Sequence, residues 1–159
     1  MSITKKEKEL TAVGISIAAG CKPCTDFHMK AVREAGAGDT EIREAVERSA
    51  ALRAAANGIM YAYGLAHLAD DEAAAPAPVA GDRQAVLTGL GVAFAVNCTS
   101  SLDQHIAAAG DAGVATEEIL EIAKLARFIK AKGASHVDRR IEALEKESEP
   151  EPAAACCGA

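Results

Sequence analysis

Residues 20–28 read Gly20-Cys21-Lys22-Pro23-Cys24-Thr25-Asp26-Phe27-His28, and residues 97–105 read Asn97-Cys98-Thr99-Ser100-Ser101-Leu102-Asp103-Gln104-His105. Laid over each other, Cys21 meets Cys98 and His28 meets His105, both at an offset of 77 residues. The same offset carries Ile42 to Ile119, Glu44 to Glu121 and Arg53 to Lys130 without a gap. A register held over such a span points to internal duplication. Two similar units packed about a pseudo-two-fold axis are therefore expected.

Composition decides what kind of unit is repeated. Of 159 residues, 50% are hydrophobic but only 3% aromatic, and there is no Trp. Alanine is the largest single part of the apolar count, which favours closely packed helices over a sandwich or barrel, so the fold class expected is all-α. A net charge of −6 argues against binding a phosphate backbone, so no nucleic-acid partner is expected. No apolar run approaches the roughly 20 residues that span a bilayer, so no membrane partner is expected either. Met1-Ser2-Ile3-Thr4-Lys5-Lys6-Glu7 has no apolar signal core behind its lysines. A reducing cytoplasmic setting follows as the expectation, and there five cysteines point to redox chemistry or metal binding.

The pattern predicts a helix from Glu7 to Ala19 stopped by Gly20. A second runs from about Lys22 to Glu34, with Pro23 in its first turn. Asp39 or Thr40 caps a third, long helix with Ile42, Val46, Ala50 and Leu52 near one face; Asn57-Gly58 interrupts it, and a short apolar helix Ile59–Leu68 follows. The domain reading is a first repeat over 1–69, a linker over 70–81, a second repeat over 82–144, and a disordered acidic tail over 145–159 ending in Cys156-Cys157.

Cys21, Cys24 and His28 fall at helical spacings of three and four, on one face. The cysteines lie in a first turn, where unpaired amides and the helix dipole favour a thiolate. A histidine one turn on can take the thiol proton. Such a cluster can attack an oxidised substrate, form a sulfenic acid and resolve it with the second thiol. A Cys-x-x-Cys is only moderately specific. A thioredoxin fold is rejected, because the segment before the pair is helical and no Trp flanks it. A structural zinc site would need a fourth donor beyond these three, from Cys98, His67 or His136. Glu9 sits among Lys5, Lys6, Glu7 and Lys8, a charged helix start that is ordinarily solvated.

Glu9, Cys21, Cys24 and His28 together give Glu-x11-Cys-x2-Cys-x3-His. This pattern resembles the signature of the alkyl hydroperoxidase D / carboxymuconolactone decarboxylase superfamily, and the duplicated helical unit extends the likeness over roughly residues 5–140. The resemblance implies an all-α fold and thiol-dependent peroxidase or disulfide-reductase activity with no cofactor or metal. It implies a hydroperoxide substrate, an external dithiol or thioredoxin-like reductant, and assembly into homo-oligomers, trimers or hexamers. It further implies that Cys24 is the peroxidatic thiol, that Cys21 is proton donor and resolving thiol, and that His28 and Glu9 form a proton relay. Two rivals stand beside this: a lyase like carboxymuconolactone decarboxylase, and a non-catalytic binder of a metal or metalloid.

In the second repeat Ser101 stands where Cys24 would be and Val86 where Glu9 would be, so Cys98 and His105 read as packed core. His67 reads as a buried or half-buried imidazole and Tyr61 and Tyr63 as core. His136 aligns with Ile59, which gives it no support as a ligand. Cys156-Cys157 on a flexible arm can relay electrons or capture a soft metal, or can be incidental.

Overall fold

In a computed structural model, residues 2–69 and 81–148 are described. They form six helices with no strand among the described residues: α1 Lys5–Ala18, α2 Lys22–Glu34, α3 Asp39–Ala69, α4 Arg83–Ala95, α5 Thr99–Ala109 and α6 Thr116–Ser148. None of the described helices is long and apolar enough to cross a membrane.

Helices α1 and α4 are the centre. Leu10 to Ser16 is an unbroken buried run, and so is Ala85 to Ala93. Both are rich in Ala, Gly, Thr and Ser, and small side chains let several neighbours approach at once. Helix α1 packs on α2, α3, α4 and α6, and α4 on α1, α3, α5 and α6. Gln84 bridges the two central helices, its Nε2 donating to Thr11 Oγ1 at 3.2 Å and Thr88 Oγ1 at 3.1 Å. Thr4 rather than Glu7 opens α1. It forms a reciprocal cap in which the Glu7 amide donates to the Thr4 hydroxyl and the Glu7 carboxylate accepts from the Thr4 amide.

The duplication shows in the backbone. Gly20 and Asn97 both take left-handed conformations, at φ 69° and 57°. The amides of Cys21 and Cys98 then donate to Ser16 and Ala93, both at 3.0 Å. The turns after α2 and α5 repeat as well, Ala37 to Val32 and Val114 to Ala109. Side chains keep the register too. Gly38 and Ala115 donate to Glu41 and Glu118, both at 2.9 Å, and those carboxylates pair with Lys6 and Arg83 at 2.7 Å.

Three helix-level expectations are corrected. Helix α3 runs through Asn57-Gly58 without a break. A helical glycine costs only about 1 kcal/mol relative to Ala, too little to stop a helix flanked by alanines on one side and an apolar run on the other. Its buried line is Ile42, Ala45, Ser49 and Ala56, while Ala50 faces out. The 3.6-residue period selects Ser49, whose hydroxyl donates to the Ala45 carbonyl at 2.6 Å. Tyr61, Tyr63 and His67 are exposed, because the distal part of α3 extends past the packed centre. Helix α6 continues to Ser148, four residues into the expected tail. The rest of that tail, with Cys156 and Cys157, and residues 70–80 of the expected linker lie outside the described residues.

Arg83 ties the second repeat together and joins it to the first through Glu7. It reaches Glu118 at 2.7 Å, Glu7 at 2.8 Å and the Gly113 carbonyl at 2.6 Å. The hydrogen bond from Arg83, aided by the Ala115 amide, holds the Glu118 carboxyl below the usual carboxylate range. Desolvation raises Glu7, but bonds from Thr4 and Arg83 outweigh it and leave that carboxyl lowered too. Depressed folded-state carboxylates contribute stability above their unfolded pKa, and lose it as pH falls through the folded value. Arg83→Ala is therefore expected to cost roughly 3 kcal/mol at neutral pH. In denaturant titrations from neutral to acidic pH, the gap between the two proteins should close as Glu7 and Glu118 protonate. A pH-independent gap would contradict the assignment.

Candidate functional site

Local sequence makes the first turn of α2. Gly20 supplies the left-handed residue that ends α1, Cys21 caps α2 in an extended conformation at φ −94°, and Pro23 lies in its first turn. The Cys21 sulfur accepts the Cys24 amide at 3.3 Å. Cys21 and Cys24, whose Cα atoms are 5.3 Å apart, are joined in a disulfide. Both are buried, at 5% and 8% exposure. Thr25 donates its hydroxyl to the Cys21 carbonyl at 3.0 Å and fixes the cap.

His28 follows one turn later on the same helix and is also buried. Its Nδ1 meets Glu9 Oε2 of α1 at 2.9 Å. An ionised carboxylate can only accept, so Nδ1 carries the hydrogen and Nε2 is left as the basic nitrogen. The Phe27 ring stands edge-on to the imidazole at 5.0 Å between centroids. The solvated reading of Glu9 is overturned: α1 is central, and its inward turn brings Glu9 against α2, with the side chain 17% exposed.

A cavity of about 240 Å³ opens beside the pair. Pro23, Cys24, Phe27 and His28 of α2 form one wall. Phe128, Ile129, Lys132 and His136 of α6 form the other. Cys24 faces this space, while Cys21 is covered by α6 at Gly133, where a Cβ would stand 3.4 Å from that of Cys21. The site is thus assembled from both repeats. Lys132 was missed because no motif carries it, and His136, weighed as a fourth zinc donor and set aside because it aligns with Ile59, does border the site. The signal was the pseudo-symmetry itself: the third helix of each repeat crosses onto the other repeat's site.

The equivalent place in the second repeat differs in chemistry, not backbone. Cys98 caps α5 at φ −89°, close to the Cys21 value. Its sulfur lies 3.0 Å from the Ser101 hydroxyl. With Val86 in place of the carboxylate, His105 Nδ1 donates to the Ser101 carbonyl at 2.7 Å. The ring fills the space where a side chain on Gly89 would be. Burial pushes the His105 imidazole down, the Ser101 carbonyl opposes this, and the charge of Arg48 adds to the lowering. A neutral packed histidine results.

The shared backbone makes a direct forecast. Ser101→Cys should form a second disulfide with Cys98 under mild oxidation, seen as two further protected thiols in mass spectrometry. A Cys98 that stays freely alkylated after unfolding would contradict the geometric equivalence.

Residues 2–68 match the model described as the carboxymuconolactone decarboxylase family. No curated protein matches the chain, and no solved structure does. The matched segment holds Glu9, Cys21, Cys24 and His28, and the all-α architecture is that of the family. Through these residues the first repeat is similar to the carboxymuconolactone decarboxylase family, of the alkyl hydroperoxidase D-like superfamily.

Proposed function

We propose that the protein is a thiol-dependent peroxidase or disulfide oxidoreductase that reduces hydroperoxides through Cys21 and Cys24. The observation that carries this reading is the disulfide lying one helical turn from an imidazole held by a half-buried carboxylate. Cys24 is the attacking sulfur in this reading, because it borders the cavity while Cys21 is covered. The Cys24 thiolate attacks the distal peroxide oxygen, the O–O bond breaks, and an alcohol leaves after taking a proton. Cys24 is then a sulfenic acid. The Cys21 thiol attacks it, water leaves, and the disulfide forms. An external dithiol or thioredoxin-like protein returns two electrons and two protons.

His28 and Glu9 handle the protons in this cycle. The Glu9 carboxylate fixes the ring and stabilises an imidazolium, so Nε2 can take a thiol proton and return it to the leaving alkoxide. A reducing cytoplasm would supply the electrons. A lyase acting on a lactone acid is the second reading. It is favoured by Lys132 in the cavity wall, a cation suited to a carboxylate. Alkylation of the reduced dithiol abolishes only the redox activity.

Cys24→Ser should lose hydroperoxide consumption in a coupled dithiol assay, and Glu9→Gln should lower it by roughly tenfold to a hundredfold. Wild-type turnover by Cys24→Ser would refute the reading.

A homo-oligomer, trimer or hexamer, belongs to the same proposal. Met60, Tyr61, Tyr63, Leu65 and Leu68 on α3 are exposed, as are Phe128, Val137, Ile141 and Leu144 on α6. So much exposed apolar surface on two long helices fits burial between subunits. Light scattering behind size exclusion should give three or six times the chain mass. A monomer at micromolar concentration would contradict it.

A further inference from the structure

The intact dithiol has a third donor from the other repeat. A ring nitrogen of His136 on α6 and the sulfurs of Cys21 and Cys24 all lie within 4.8 Å of one another. Helix α6 is pressed against Cys21 at Gly133, and His136 lies one turn further along the same helix. We propose that the reduced protein binds a divalent d10 cation of the zinc type through Cys21, Cys24 and His136.

The donor chemistry fits. Two thiolates and an imidazole are the mixed sulfur–nitrogen set that zinc takes, and tetrahedral zinc leaves one further position. That position falls to water, since Cys24 and His136 both border the cavity. Binding replaces two thiol protons by the ion and releases them to solvent. The disulfide has no such sulfur to offer, so the site exists only in the dithiol state. The pseudo-symmetry supplies an internal contrast. In the 77-residue register Ala56 stands at the place of Gly133 and Ile59 at that of His136, and Ala56 lines a pocket with Cys98. The imidazole has been placed on the covering helix only where both cysteines are present.

One contact must change. The exposed Arg139 guanidinium donates to His136 Nδ1 at 3.3 Å. If the ion takes Nε2, Nδ1 must carry the ring hydrogen and Arg139 must turn away. His28, tied to Glu9, is not a ligand in this site. The proposal therefore stands without the peroxidase reading.

The test uses the full chain carrying Cys156→Ser and Cys157→Ser, which removes the tail thiols as competing ligands. Reduced protein is titrated anaerobically with Zn(II) against a chromophoric chelator, and with Cd(II) for its thiolate charge-transfer absorption. One ion per chain is expected, none after oxidation to the disulfide, and affinity at least about tenfold weaker in His136→Ala. His28→Asn should keep the affinity. Equal affinity in His136→Ala, or binding retained by the oxidised chain or by Cys21→Ser/Cys24→Ser, would overturn the proposal. Hydroperoxide turnover of the ion-free chain is measured alongside. Its absence with zinc binding intact would sink the peroxidase reading and leave the metal site standing.

Discussion

The hydrogen bond between Glu9 and His28 is the contact on which the site depends. It joins α1, the central helix of the first repeat, to α2, which carries both cysteines. A carboxylate and an imidazole so nearly out of water are costly apart and compatible together, so the pair fixes the rotamers of both. Removing the carboxylate does more than delete a charge. The second repeat shows the outcome: with Val86 at that place, His105 turns to the Ser101 carbonyl and packs into the interior.

Duplication therefore separates scaffold from chemistry. The left-handed turn, the cysteine at the helix cap and the amide bonds after α1 and α4 recur because they are backbone requirements of the fold. The second cysteine, the carboxylate and the covering imidazole occur in only one of the two registers, as Cys24, Glu9 and His136. Yet the degenerate repeat is not mere support. Helix α6 closes the cavity over Cys24 and shields Cys21. Each repeat's third helix packs across on the other's centre, so a site on one repeat needs residues from both.

What was legible in the sequence follows from what is periodic. The 77-residue register fixed the pairing of elements, and Gly20, Pro23 and the Cys-x-x-Cys spacing placed α2 within a residue. Glu9 was legible only through the family pattern, since the four residues before it are all charged. Helix α3 was misread because Asn57-Gly58 has the composition of a turn, although helix continuity outweighs about 1 kcal/mol of propensity. Lys132 was illegible as a site residue, and His136 was set aside as a ligand because the repeat register puts Ile59 at its place. Their partners lie more than 100 positions away, and no local pattern encodes which face of α6 meets α2.

The central claim is that the dithiol beside the Glu9–His28 pair is the group that reacts with oxidant. Reduced full-length protein is mixed with less than one equivalent of hydroperoxide, quenched by alkylation, and mapped by peptide mass spectrometry. The account predicts that Cys21 and Cys24 are oxidised together while Cys98 remains a thiol, and that Cys21→Ser carries a trapped sulfenic acid on Cys24. Oxidant consumed at Cys98 or at Cys156 and Cys157, with Cys21 and Cys24 still alkylated, would contradict it.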